Sequence, residues 1–364
     1  MPENTPQTIW PWLEILWEKK GSDLLLSGGS PPRIRVNGKL DPIEGAAIMT
    51  TPDIEEIVRP LITDRQREIF AEKQDVDFSF SWGEQARIRG SLFTQRGQQA
   101  LALRIIPTKI PTFEELGLPP AADLIAKMTK GFILVTGPTG SGKSTTLASI
   151  VDRINATRSS HILTVEDPVE YVHNHKRSAI SQREIGMDSP SFEQALRSAL
   201  REDPDVLLIG EMRDVESIAI ALTMAETGHV VFGTLHTNDA AQAVDRIIDV
   251  FPAGRQAQAR TQLAASLSAI VAQRLIPRIG GGMVAAFEVL IATHPVRNLI
   301  REDRANQLTN VMFTSSKDGM QTMNMSLARL IYDNVIEAED GFDISNDIRE
   351  LERALAQMKS NGGR

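Results

Sequence analysis

From Ser22 to Pro107 the pattern of apolar and polar residues is mixed, alternating in short stretches such as Arg33–Val36 and Val76–Phe80, and beyond residue 130 apolar residues gather into short unbroken runs. Alternation marks strands with one wet face, whereas unbroken runs of four to six mark strands buried on both faces. Trp10, Leu13, Leu16 and Trp17 recur at helical spacing with Gly21 as a stop, after a polar start at 1–8 that reads as loose. Tryptophans on one face suit either a membrane surface or packing on the domain behind. Strands are expected at Asp23–Leu26, at Arg33–Val36 with a turn at Asn37–Gly38, and at Val76–Phe80, Ala86–Arg89 and Ala100–Ile106. Between them Thr51–Phe70 reads as one or two helices, with Pro52 in a first turn, Ile54, Ile57 and Val58 periodic, and Pro60 as a break. This describes a small α+β domain over residues 1–107, built on an antiparallel sheet.

Four prolines (Pro107, Pro111, Pro119 and Pro120) then suggest a linker over 108–120. From 121 to 364 strands and helices alternate, the pattern of an α/β fold with a parallel sheet. Phe132–Val135, His161–Val165, Asp205–Glu211 and Thr227–Thr237 are the strand runs. Helices are expected after Lys143 (Leu147, Ile150, Val151 and Ile154 on one face), after the Ser191 cap, and after the Asp239 cap. The alanine-rich stretch Gln256–Leu275 reads as one long helix, and the region from about 284 to 358 as helical segments.

With 364 residues, 41% apolar and 24% charged, two or three globular domains are expected. The net charge of −8 argues against a chain that grips long stretches of nucleic acid. There is no cysteine, which removes disulfides and cysteine-held zinc and suits a reducing compartment. No run approaches the ~18 apolar residues of a membrane span, and the N-terminus lacks a signal-peptide pattern. Membrane association is therefore expected to be peripheral or through a partner.

The chemistry centres on Gly137, Pro138, Thr139, Gly140, Ser141, Gly142, Lys143 and Ser144, a full match to G-x-x-x-x-G-K-[ST] between a strand and a helix. Glycines let the backbone curl so that several N–H groups face a polyphosphate, and the helix dipole adds positive potential there. Lys143 would reach the β- and γ-phosphates of ATP or GTP, the Ser144 hydroxyl would join Mg²⁺, and Thr145 completes the contact. Glu166, Asp167 and Glu170 end the next strand, placed to hold metal or to activate water. The run Asp205–Ile209 ends in Gly210–Glu211, like a Walker B strand whose acid lies on the Mg²⁺ side but with a Gly before it. His229 and His236 bracket the last strand. They are poor metal ligands at that spacing, leaving phosphate sensing or a structural role open. Arg87, Arg89, Arg96 and Arg104 cluster in the first domain. A solvated strand face is the ordinary use of such a pattern; stabilising charge on a transferring phosphoryl group in a neighbouring domain or subunit is the sharper one.

Together the stretches GPTGSGKS, EDPVE, LLIGEMRD and GHVVFGTLHT, in that order, resemble the Walker A, Asp box, Walker B and His box of the secretion-ATPase superfamily of type II secretion and type IV pili. Within it the chain is most similar to the PilT group of pilus-retraction motors. QREIG at 182–186, the linker RIIPTKIPTFEELGLP and PVRNLIRE at 295–302 carry the likeness further, although Leu25 stands where a histidine is usual. The resemblance spans roughly residues 20–335. It implies a PAS-like N-terminal domain, a RecA-like ATPase domain with extra C-terminal helices, and assembly into a homohexameric ring. It further implies ATP and Mg²⁺ as ligands, with Glu170 activating water, Glu211 on the Mg²⁺ side, His229 and His236 near the γ-phosphate, and Arg87, Arg89 and Arg104 supplying positive charge. Cytoplasmic localisation is implied, peripheral to the inner membrane, beside a pilus platform protein and an accessory retraction ATPase. The competing readings are an accessory retraction, pilus-assembly or type II secretion ATPase, and a RecA-like nucleic-acid motor. Assembly motors are typically longer and often carry paired cysteines. The negative charge and 5% aromatic content disfavour the nucleic-acid motor.

Overall fold

The computed structural model describes residues 9–36, 38–83 and 85–361, so the polar start at 1–8 and Asn37 of the expected turn lie outside the described residues. The chain divides into two compact units, 1–109 and 110–364.

The first unit runs α1 (Trp10–Glu18), β1 (Asp23–Ser27), β2 (Arg33–Val36), β3 (Lys39–Pro42), α2 (Thr51–Val58), α3 (Asp64–Lys73), β4 (Asp75–Trp82), β5 (Ala86–Gln95) and β6 (Gln98–Pro107). Its sheet has the order β3-β2-β1-β6-β5-β4, antiparallel throughout. α2 and α3 open with reciprocal capping boxes, Thr50 with Asp53 and Thr63 with Gln66, and separate at the predicted break near Pro60. Leu13 and Leu16 of α1 and Ile54, Ile57 and Val58 of α2 join Leu24, Leu26, Ile88, Leu92, Leu101 and Leu103 in one buried cluster. α1 therefore buries its leucines in this unit's core, while Trp10 and Trp17 remain 37% and 38% exposed.

The second unit starts in the proline-rich segment. There Thr112 caps α4 (Phe113–Leu116) and Phe113 is buried, with α5 (Ala121–Lys127) following. Next come β7 (Gly131–Thr136), α6 (Lys143–Thr157), β8 (His161–Glu166), β9 (Ala179–Glu184), α7 (Phe192–Ala199), β10 (Val206–Ile209), α8 (Val215–Glu226), β11 (Val230–Leu235), α9 (Ala240–Asp249) and α10 (Ala253–Ser266). The unit closes with β12 (Leu267–Pro277), β13 (Met283–Ile291), α11 (His294–Arg301), α12 (Leu308–Thr314), α13 (Met323–Tyr332), α14 (Ala338–Ile344) and α15 (Ile348–Asn361). The sheet order is β13-β12-β7-β11-β10-β8-β9, parallel except for β13. β7 sends Phe132 and Leu134 into the core under α7–α12, and Ile133 and Val135 into the core under α5 and α6. That two-sided burial is why its run is unbroken.

Two expectations fail here. The expected helix over Gln256–Leu275 stops at Ser266, and the remainder is β12; the expected helical region opens instead with the strand β13. Alanine favours helix in isolation, but Leu267 and Ala269–Gln273 are buried against β7 and its flanking cores, where small side chains fit a crowded sheet. Gly280, Gly281 and Gly282, all at positive φ, lie in the turn of this hairpin. β9 is a further strand with no expectation behind it.

Glu288, on β13, is 4% exposed and accepts the N–H of Ala240 at 2.8 Å and that of Met323, the first residues of α9 and α13. Burial pushes its carboxyl up to about 7, against the pull of the N–H donors.

Candidate active site

The carboxyl ends of β7, β8, β10 and β11 lie along one edge of the parallel sheet. Open α/β sheets bind ligands at that edge. The loop from Gly137 to Gly142 leaves β7 there and runs into α6, whose first residue is Lys143. Gly137 sits at φ +149°, and a Cβ on it would lie 2.4 Å from the Gln273 carbonyl. Gly142 sits at φ +86°, and a Cβ there would lie 2.8 Å from Gln273 Nε2. Both must be glycine for strain and for space.

Gln273 explains the tightness. From β12 its Nε2 donates to Ser141 O at 2.6 Å and its Oε1 accepts from Thr146 Oγ1 at 2.8 Å, stitching both ends of the loop's last turn. Sequence reasoning missed it because it falls in the stretch expected to be helix. The buried Ser141 Oγ has no hydrogen-bond partner among the described residues.

Lys143 Nζ donates to Gly137 O at 2.8 Å and to Pro138 O at 3.0 Å. Burial holds its ammonium below the ordinary lysine range, while Glu211 and Glu170 act against that shift. The loop lysine and the two acids are thus electrostatic neighbours. Glu211 follows β10 after Gly210; Arg213 donates to its Oε2 at 2.6 Å, and His236 Nε2 stands 3.1 Å from its Oε1. The Arg213 hydrogen bond is the main reason its carboxyl lies below the usual range. Gly210 before it packs closely on β8, where a Cβ would stand 3.2 Å from Glu166 Cα.

Ser144, Thr164, Glu166, Glu170, Tyr171 and Thr234 are among the residues lining a cavity of about 30 Å³, roughly a single water. Thr145 Oγ1 lies 3.0 Å from the Tyr171 hydroxyl. On the other side of the loop, Gly142, Thr145, Leu275, Arg278, Met283 and Phe287 are among those lining an open cavity of about 490 Å³.

Glu166 is half-buried by surface area, yet its carboxylate is enclosed by protein, with Thr164 Oγ1 donating at 2.7 Å and Gln182 Nε2 at 3.2 Å. Burial raises it from 4.5 to about 7. A carboxyl raised on folding keeps its proton in the folded chain between those values, so its contribution to stability falls as pH rises from about 4.5 to about 7. Glu166→Gln is therefore expected to gain stability relative to the parent between pH 5 and pH 8, on the order of 3 kcal/mol. Paired thermal melts at the two pH values check this, and an equal difference at both would contradict it.

His229 does not join this group. It precedes β11 at the end paired with Gly131, and Leu235 pairs with Thr136, so six residues of strand, roughly 20 Å, separate it from His236. Its Nδ1 lies 3.0 Å from Met224 O and 3.1 Å from Thr227 Oγ1, in the turn after α8. The expected pair of histidines at one phosphate fails within a single chain, because an extended strand carries its two ends apart.

In the first unit Asp23, Arg104, Arg89 and Ser79 form one row across β1, β6, β5 and β4. Arg104 Nε binds Asp23 at 2.8 Å, Arg89 binds Asp77 at 3.4 Å, and Arg87 donates to Ser79 Oγ at 2.6 Å. Arg87 and Arg89 share a face, as alternation predicts, with Ile88 buried on the other.

A parallel sheet carrying a glycine phosphate loop, with a lysine and two acids converging on it, defines a P-loop nucleotide-binding protein. The chain belongs to the type II/IV secretion system protein family, whose family model matches residues 44–335. It is 47% identical over 324 residues to the type IV pilus retractation ATPase PilT of Pseudomonas aeruginosa, covering 88% of this chain and 92% of that one. It is 48% identical to a twitching motility protein of Neisseria gonorrhoeae over 85% of this chain and 82% of the relative. The crystal structure of a pilus retraction motor PilT with bound ADP matches with a TM-score of 0.89 at 45% identity, covering 95% of this chain and 99% of that one.

A Mg²⁺–nucleotide fits the residues present. The cradle at Gly137 and Gly142 admits no Cβ, Ser141 Oγ is buried with no partner among the described residues, and Ser144 and Glu211 are a hydroxyl and a carboxylate of the kind that could join such an ion beside phosphate oxygens. No cluster of three or more metal-ligating side chains occurs among the described residues, and this mode of binding needs none.

Proposed function

We propose that the chain is an ATP-hydrolysing motor that drives retraction of type IV pili. The observation that carries the reading is the phosphate loop, closed to any Cβ at Gly137 and Gly142, beside a cavity lined by Ser144 and Glu170. Gly137–Ser144 would hold the phosphates, Thr145 would flank them, and the cavity beside Leu275, Met283 and Phe287 would take the base. Ser144 and Glu211 would hold Mg²⁺, which neutralises phosphate charge. Glu170 would accept the proton of the attacking water as its oxygen bonds to the γ-phosphorus and the bond to the bridging oxygen of ADP breaks. His236 would orient Glu211.

The working form would be a homohexameric ring of chains, each with a PAS-like first domain and a RecA-like second domain. Arg87, Arg89 and Arg104 would supply positive charge to the transferring phosphoryl group. A ring in the cytoplasm could push on an inner-membrane platform protein without crossing the bilayer; no helix among the described residues is long and apolar enough to span one. The test is deletion of the gene in its host. Abundant surface pili that no longer retract, with loss of twitching, is the expected result. Bald cells would mean an assembly motor instead.

A further inference from the structure

The loop between β8 and β9 carries Glu170, and strand β9 holds that loop from below. β8 and β9 are parallel, with Thr164 opposite Gln182 and Glu166 opposite Glu184. Side chains alternate along strands, so these four share one face. The Gln182 amide makes three contacts there. Its Nε2 donates to Glu166 Oε1 at 3.2 Å and to Tyr171 O at 2.9 Å, and its Oε1 accepts the His173 N–H at 2.8 Å. Two acceptors on one side and an N–H on the other admit a single orientation of the amide.

One turn of strand further, Glu184 accepts the Val169 N–H at 3.1 Å. The Glu166 carboxylate receives the N–H of Glu170 itself at 3.5 Å. The loop's far end is tied as well: Asn155 on α6 accepts from Lys176 N at 3.1 Å and donates to Asn174 O at 2.7 Å. The backbone is therefore gripped on both sides of Glu170, at Val169 by Glu184 and at Tyr171 by Gln182, while the Glu170 side chain is left exposed. Tyr171 extends the grip to the nucleotide side, its hydroxyl 3.0 Å from Thr145 Oγ1 beside Ser144.

We propose that Gln182 is a positioning residue for hydrolysis, clamping the 166–173 loop so that Glu170 is presented to the attacking water. The proposal rests on the reading of Glu170 as the water-activating acid. It also gives a use to the stretch QREIG, which the phosphate chemistry leaves unexplained. The clamp works through geometry: a misplacement of about 1 Å at a reacting group can cost about a hundredfold in rate. Nucleotide affinity is set elsewhere, by Gly137–Ser144 and the cavity beyond, so kcat and binding should separate.

The experiment measures steady-state ATP hydrolysis and binding of a fluorescent ATP analogue by the full chain, for the parent, Gln182→Leu, Gln182→Glu and Lys143→Ala. Gln182→Leu removes all three contacts. Gln182→Glu keeps the acceptor for His173 N–H, loses both donated bonds and sets a second carboxylate against Glu166. Both are expected to lower kcat by about 10²-fold with the dissociation constant of the analogue changed by less than about 3-fold. Should Gln182→Leu fail to fold, Gln182→Glu, nearly identical in shape, carries the same expectation. A kcat per folded molecule within 3-fold of the parent overturns the clamp, as does a loss that appears wholly in nucleotide binding or melting temperature. If Lys143→Ala also retains its turnover, the fault lies in the reading of the site rather than in the clamp.

Discussion

Alanine at Lys143 is expected to lower the rate of ATP hydrolysis by about 10²–10³-fold, the usual cost of removing one preorganised group that stabilises transition-state charge. The ammonium is the positive group held within the phosphate loop, and burial has already removed part of its hydration. Its two hydrogen bonds run to the carbonyls of Gly137 and Pro138, both within that loop, and α6 keeps its core contacts through Leu147, Ile150, Val151 and Ile154. The variant should therefore fold, and its melting temperature should stay within a few degrees of the parent. Phosphate release at saturating ATP, together with a thermal melt, checks both halves. Retained turnover would remove the phosphate loop from the mechanism.

Glu211→Ala is expected to separate binding from chemistry. The carboxylate is held between Arg213 and His236 at the end of β10 and is one-quarter exposed as a side chain. On the reading of Glu211 as the metal-side acid, its removal would take one carboxylate from Mg²⁺ and would free Arg213 and His236. Added positive charge favours polyphosphate binding, while loss of the metal-side acid slows phosphoryl transfer, by about 10²-fold on the scale of a single electrostatic group. Isothermal titration with ATP alongside a turnover assay distinguishes the outcomes. Loss of binding and fold together would make Glu211 a structural carboxylate of the strand.

The chemistry of this chain is written in short local stretches, and those were legible. A phosphate loop needs glycines at positions such as Gly137 and Gly142, and an acid at the end of a buried apolar run announces itself, as at Glu166 and Glu211. Placement was less legible. His229 and His236 look like a pair in the one-dimensional string, yet β11 is extended and holds them at opposite edges of the sheet. β12 and β13 were hidden because their alanine and leucine content favours helix, and only the sheet beside them decides otherwise. The three glycines between them were the available hairpin signal. Gln273 carries no signature of its own, and Gln182 stands in a stretch, QREIG, whose likeness gives it no role. Each acts through a partner more than ten residues away, on hydrogen bonds that exist only once the sheet has assembled.

Glu288 has a mechanical consequence. One buried carboxylate holds the first N–H of α9, just past His236 and Thr237, and the first N–H of α13. Drawing those helices apart would strand a buried acceptor, at a cost of about 1–3 kcal/mol. The starts of α9 and α13 are therefore tied to one side chain, which links α13 to the segment that follows His236.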